Sequence, residues 1–232
     1  MKLVKIKRIQ YANVSGFLLY NHETCVLVDA GLKHTTSQLA KALGDINRKL
    51  ADIQLIILTH THFDHAGGAS QIRGETGAPI AVHRSEADFL RKGRAPFPDG
   101  TRWKGKLIVL AGRIFARRME AYPPVEPDIL IDDSLDLAPY GIPGIARHTP
   151  GHTKGSVSVL LESGEALVGD NMLGLSFKHH FPPFANDNAG VLKSWQIYID
   201  EGMHTLMPAH GGRVKTADIK SELPDARQRY LR

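Results

Sequence analysis

Apolar and polar positions alternate at the start of the chain. Between Lys2 and Gln10, Leu3, Val4, Ile6 and Ile9 are set against Lys2, Lys5, Lys7 and Arg8, a pattern that predicts a half-buried strand. Val14 to Tyr20 and Cys25 to Val28 predict two more strands, joined as a hairpin through Asn21-His22-Glu23, and Asp29-Ala30-Gly31 ends the third. The period then lengthens. From Thr36 to Leu50 the residues Leu39, Ala42, Leu43, Ile46 and Leu50 share one side of a helix. Ile53 to Leu58 is an almost unbroken apolar run, as in a buried strand, and a polar, histidine-rich loop follows at once. A short helix over Ala69 to Glu75, a strand over Pro79 to His83 and a helix over Ser85 to Lys92 complete the first half.

Gly93 to Pro127 differs in composition. It opens on Pro96, Pro98, Asp99 and Gly100 and closes on Pro123, Pro124 and Pro127, with a predicted helix from Trp103 to Tyr122 between them. Packing over the fold or against a second copy in a homodimer is the first reading of this helical insert. A lid lined with apolar side chains that admits an acyl chain is the second, and membrane contact is the last, because separate basic and apolar faces are lacking. Strands return at Ile129 to Ile131, Ser134 to Leu137, Ile145 to His148, Gly155 to Leu161 and Ala166 to Val168. A long loop runs from Asn171 to Asn188. A helix over Gly190 to Glu201, a strand over His204 to Met207 and a surface helix from Thr216 finish the chain. Strands come first and then alternate with helices, twice over. Two sheets packed together with helices outside satisfy that α/β order.

Composition narrows the class. The 232 residues are 42% hydrophobic and 23% charged, which suits a soluble globular chain folded as a single domain. Cys25 is the one cysteine, so no intrachain disulfide forms, in keeping with a cytoplasmic location. Charges break up the N-terminal segment too often for a signal peptide, and no apolar run reaches membrane-spanning length, so no stable membrane insertion is expected. The net charge of +5 is mild. Without an arginine-rich tract or an aromatic-basic ladder, no nucleic acid is expected as a partner.

The chemistry concentrates in Thr59-His60-Thr61-His62-Phe63-Asp64-His65-Ala66-Gly67-Gly68. On an extended backbone alternate residues share a face, so His60 and His62 point at one place. The chain then turns, bringing Asp64 and His65 to a second place nearby. Imidazole nitrogen and carboxylate oxygen are both good zinc ligands, and the cluster sits where a buried strand ends, as sites in α/β folds usually do.

This run resembles the H-x-H-x-D-H signature of the metallo-β-lactamase superfamily. Three further marks stand in the family's order: Thr149-Pro150-Gly151-His152-Thr153, Gly169-Asp170, and Pro208-Ala209-His210-Gly211. The resemblance implies a four-layer αββα sandwich with two divalent metal ions, zinc first and iron or manganese next. His60, His62 and His152 would hold one ion and Asp64, His65 and His210 the other, with Asp170 bridging them. It also implies a hydrolase in which a metal-bridging hydroxide cleaves an ester, thioester or lactone, so the expected partner is a small-molecule acyl substrate. Asp64 has two readings, a ligand only or also the acceptor of the nucleophile's proton. Asp29, and after it Thr59, are candidates to orient a ligand histidine. His148 is a candidate for the same surroundings, and Lys178, His179, His180 and Phe181 for the pocket rim.

The motif set is most similar to glyoxalase II-like thioesterases and to N-acyl homoserine lactonases. With about twenty residues after Gly212, the C-terminal helical region by which glyoxalase II grips glutathione is not expected, and no tyrosine follows shortly after Asp170 as in many of the lactonases. Asp170 separates the chain from the zinc β-lactamases that share H-x-H-x-D-H, and His62 separates it from flavo-diiron proteins. The alternatives on the same fold are a phosphodiesterase or nuclease and a mononuclear iron persulfide dioxygenase.

Overall fold

The twelve strands form two six-stranded sheets in a computed structural model that describes residues 3–101, 120–175 and 179–231. The first sheet runs in chain order, from β1 (Lys5–Tyr11), β2 (Val14–Tyr20) and β3 (Cys25–Val28) through β4 (Leu55–Ile57) and β5 (Ile80–His83) to β6 (Ile129–Ile131). β1 to β3 pair antiparallel, and β3 to β6 pair parallel. The second sheet has the order β12 (Val214–Lys215), β11 (Thr205–Pro208), β10 (Glu165–Gly169), β9 (Val157–Leu161), β8 (Gly144–His148) and β7 (Ser134–Asp136). Only β10 and β11 are parallel there.

Alternation along each strand separates the layers. Phe17, Leu19, Val26, Val28, Leu55 and Ile57 of the first sheet pack with Ala146, Val157, Val159, Leu161, Leu167 and Met207 of the second, forming the core between the sheets. Their sequence neighbours point outward. Leu18, Leu27, Ile56 and Val82 meet Leu39 and Leu43 of α1 (Thr36–Gly44), Ala69 and Ile72 of α3 (Ala69–Thr76), and Leu90 of α4 (Ala87–Lys92). Leu160, Ala166, Val168 and Leu206 meet Trp195 and Tyr198 of α5 (Asn188–Asp200) and Ile219 and Leu223 of α6 (Thr216–Tyr230). The result is an αββα sandwich, as the resemblance implies.

The structure corrects several boundaries. The first helix stops at Gly44 instead of reaching Leu50, because the chain turns through Asn47 in a left-handed conformation (φ 56°). Inside the histidine-rich loop lies a one-turn helix, α2 (Phe63–Ala66). The edge strand β12 pairs with β11 and is too short to leave a periodic signal. Most of the predicted helix from Trp103 to Tyr122 lies outside the described residues, but its last residue is not helical: the Tyr122 amide donates to Gly93 O at 2.8 Å, and Ala121 bridges Arg94. The insert is thus pinched together at its base.

Candidate metal centre

Four loops meet at one end of the two sheets. The first leaves β4 through Thr59, His60 and Thr61, outside any strand. His62, with an extended backbone (φ −64°, ψ 155°), precedes α2, which carries Asp64 and His65. The second, between β8 and β9, carries His152. The third follows β10, where Gly169 adopts a left-handed φ of 53°. A Cβ at Gly169 would lie 2.8 Å from Thr59 Oγ1, so glycine is needed immediately before Asp170. The fourth follows β11 and carries His210. The β1–β2 hairpin holds this last loop: Ser15 N donates to Ala209 O at 2.9 Å, and the Arg8 guanidinium donates to Gly211 O.

All seven predicted side chains converge. Their ligand atoms form the groups His60/His62/His152, His60/His65/Asp170 and Asp64/His65/His210, with the atoms of each group within 4.8 Å of one another. His62 Nδ1 and His152 Nε2 are 3.1 Å apart. Two zinc ligands, each about 2.0–2.1 Å from an ion, are separated by about 3.3 Å in a tetrahedral site. Asp170 stands between the two triads, with Oδ1 3.3 Å from His65 Nε2 and Oδ2 3.6 Å from His152 Nε2 and 3.5 Å from His210 Nε2. His210 Nε2 is also 3.5 Å from Asp64 Oδ2.

A second set of contacts orients the rings. His60 Nδ1 is 3.1 Å from Thr59 Oγ1, His62 Nε2 is 3.2 Å from Pro96 O, and His152 Nδ1 is 2.9 Å from Phe184 O. His65 Nδ1 is 2.9 Å from Asp29 Oδ2, and His210 Nδ1 is 2.9 Å from Asn13 O. In every case the outer nitrogen donates to an acceptor, which aims the inner nitrogen at the cluster, the usual arrangement for metal-ligating histidine. Asp29 also accepts the Thr59 amide (2.8 Å) and hydroxyl, so both of the orienting candidates take part.

The inner atoms supply a test of fit. His60 Nε2, His65 Nε2 and Asp170 Oδ1 are buried without a hydrogen-bond partner. An unpaired His60 Nε2 costs about 1–3 kcal/mol, while His65 Nε2 and Asp170 Oδ1 have only each other, at 3.3 Å. Facing one another, the three suit a cation that would satisfy them. The protonation preferences agree. Burial holds His60 well below the ordinary imidazole range, His62 down at about 3, and His152 below normal, so all three stay neutral, as ligation requires. Burial opposes charge on His65 and His210 too, but Asp170, with Asp29 and Asp64, outweighs it at His65, and hydrogen bonds to Asp170 and Asp64 outweigh it at His210. His65 is held well above 6.5 and His210 up at about 10. These two protons leave when a metal binds.

A cavity of about 310 Å³ opens onto His62, Asp64, His152, Asp170 and His210. Its other described walls are Phe63, Phe97, Pro98, Leu173, Leu175, Pro182, Pro183 and Phe184, and Asn13 is the one polar side chain among the described lining residues that is not in the metal cluster. Phe97 comes from the insert and meets Phe184 edge to face at 5.0 Å. The remaining candidates lie elsewhere. His148 stacks on His83 at 3.9 Å and bonds Lys154 O. The His180 amide bonds Glu222, and Phe181 stacks on Tyr230, both against α6. Lys178 lies outside the described residues. The outer acceptors Pro96 O, Phe184 O and Asn13 O escaped the sequence reading because every residue has a carbonyl and none has a distinguishing side chain for this role.

A sandwich of this kind with a histidine–aspartate cluster at one end defines a metal-binding αββα protein. The family model for the metallo-β-lactamase superfamily matches residues 12–172, and the chain belongs to that superfamily. It is 26% identical over 244 residues to the probable metallo-hydrolase YflN of Bacillus subtilis (strain 168), covering 95% of this chain and 88% of the relative. Among solved structures it resembles the metallo-β-lactamase family protein TTHA1429 of Thermus thermophilus, with a TM-score of 0.69, 22% identity and 97% and 79% of the two chains covered. It also resembles BJP-1, a subclass B3 metallo-β-lactamase of Bradyrhizobium japonicum, with a TM-score of 0.62, 20% identity and 90% and 76% covered. At such identities the structures share the fold alone. Membership and the histidine cluster together support metal-dependent hydrolysis in general. No helix among the described residues is long and apolar enough to cross a membrane.

Proposed function

We propose that the chain is a dinuclear metallo-hydrolase that opens an ester, thioester or lactone bond. His60, His62 and His152 hold one ion, and Asp64, His65 and His210 the other. The placement of Asp170 between the triads supports a bridging role. A set of imidazoles with two carboxylates suits zinc first, and iron or manganese next. Bound there, the ions supply an activated water nucleophile at neutral pH and a Lewis acid toward the acyl oxygen. The protein supplies the rest. Asp64, 17% exposed and 3.5 Å from His210 Nε2, lies at the cavity floor. In the metal-free protein its carboxyl is held below its usual range, burial being outweighed mainly by the His65 charge and the His210 hydrogen bond; with metal bound, its place beside the second ion puts it within reach of the proton that the nucleophile releases. The apolar walls exclude water from the acyl chain.

The lining of the cavity carries the choice of substrate. Two ions can meet a phosphate as readily as an acyl oxygen, so the rest of the wall carries the choice, and among the described lining residues it is apolar but for Asn13, with no lysine or arginine to add charge for a dianionic or polyanionic substrate. Phe97, Leu173 and Phe184 instead suit a neutral acyl group, with the Asn13 amide at the rim to meet one polar atom of the substrate. Turnover of acyl p-nitrophenyl esters, lactones, acylglutathiones and bis-p-nitrophenyl phosphate by the zinc-loaded protein tests this. Hydrolysis of neutral esters or lactones is the expected outcome, and turnover of the phosphodiester alone would sink the proposal.

A further inference from the structure

Thr61, the residue between the paired histidines, has no exposed surface and is gripped on every polar atom. Its amide donates to Glu86 Oε2 at 3.1 Å, and its hydroxyl donates to the same oxygen at 2.5 Å. Its carbonyl accepts the Tyr122 hydroxyl at 2.8 Å. Glu86 is only 1% exposed, and its other oxygen accepts the Gly155 amide at 3.3 Å. Gly155 closes the turn that presents His152. A Cβ at Gly155 would lie 2.6 Å from Glu86 Cγ, so the carboxylate fills the space that a side chain at 155 would need. One buried carboxylate therefore joins the loop of His60 and His62 to the loop of His152. Thr61 is also held from the far side by Tyr122, at the base of the insert, and the insert's Pro96 O receives His62 Nε2.

We propose that Glu86 and Tyr122 are positioning residues that pre-form the His60/His62/His152 site, and that the base of the 93–127 insert belongs to the metal centre as much as to the cavity wall. The physical case rests on what else could hold these rings. His60 and His62 flank Thr61 on a loop that belongs to no strand. A loop segment keeps its dihedrals only where its neighbours fix them, and fixing one residue costs about 1–2 kcal/mol of backbone entropy. The three hydrogen bonds to Thr61 absorb that ordering before metal arrives, two of them strengthened by the charge on Glu86. The grip does not reach the Asp64/His65/His210 site. His65 is instead oriented by Asp29, and His210 by Asn13 O. Lost outer support typically weakens a metal site by about 10–100-fold, so the loss should fall on one site.

The inference rests on the two-metal reading, and its test separates the two. Zinc binding to wild type, E86Q, Y122F and D29N would be measured by titration against a chromophoric chelator, with cobalt spectra for ligand geometry and thermal melts of the metal-free proteins for folding. In E86Q the amide presents a donor to the Thr61 or Gly155 N–H. The expected result is zinc affinity lowered about 10–100-fold at one of two sites, with an altered cobalt band. Y122F removes one hydrogen bond and carries little risk to folding, and it should give a smaller change of the same kind. D29N should weaken the Asp64/His65/His210 site directly through His65, and the first site to a lesser degree through the Thr59 contact to His60. Wild-type zinc affinity and cobalt spectrum in both E86Q and Y122F would overturn the clamp and leave the two-metal reading standing. A wild-type chain that takes up no zinc would overturn both.

Discussion

At the scale of single residues, the centre is a set of buried groups whose charges are balanced only against one another. His62 and His210 show the two opposite ways in which it responds to pH. Burial depresses His62 from 6.5 to about 3. The unfolded chain therefore takes up a proton that the folded chain refuses, so stability present above pH 6.5 is lost as the pH falls toward 3. Burial opposes charge on His210 as well, but its bonds to Asp170 and Asp64 prevail and raise it to about 10. Its contribution is complete below pH 6.5 and is lost as the pH climbs through 10. Melting temperatures of the chelator-treated protein at pH 5, 7 and 10 should be highest near neutrality and fall on both sides, and a flat profile would contradict this balance. With metal present the alkaline loss should disappear, because the ion takes the place of the His210 proton.

At the scale of elements, α5 anchors the loop after β10. Trp195 is fully buried, and its Nε1 donates to Asn171 O at 2.8 Å. Asn171, the residue after Asp170, accepts the His152 amide at 3.3 Å and donates to Thr149 O at 2.7 Å. Trp195→Phe keeps an aromatic ring but leaves that carbonyl without its donor and opens a small void. It should cost about 2–3 kcal/mol, read as a lower urea midpoint at unchanged slope. An unchanged midpoint would show that α5 does not brace this loop. The strands other than β12, and α5, were legible in the sequence because burial on one or both faces leaves a period of two or a continuous apolar run, and a long packed helix leaves a stripe. The seven cluster residues were legible because imidazole and carboxylate side chains announce themselves. α2 was not, because one turn is shorter than any period. The end of α1 was hidden because Ile46 and Leu50 continue its apolar spacing past Gly44, although the chain leaves the helix there and turns through Asn47. Glu86 and Tyr122 were hidden because a buried glutamate and tyrosine look like any others until the fold sets them against Thr61.

At the scale of the whole molecule, the centre lies where loops from both sheets meet, so an ion there ties the two halves of the sandwich together. Removing metal should lower the melting temperature by several degrees, since a ligand at about 100 times its Kd stabilises the folded state by about 2.7 kcal/mol. Calorimetry before and after chelation would show it, and superimposable scans would argue against that tie. The bridge between the insert and the loop after β10 has a consequence of its own. Thr101 N donates to Pro183 O, Ala185 N donates to Asp99 O, and Gly100 pairs with Phe184. On these two joined strips, the carbonyls of Pro96 and Phe184 hold His62 and His152, while the rings of Phe97 and Phe184 face the incoming molecule. Appetite for new substrates and retention of the ion thus share one piece of backbone. A lineage that reshapes this wall by insertion or deletion risks shedding its metal before it gains a new guest, whereas exchange of the two rings alone leaves the backbone free to keep its grip.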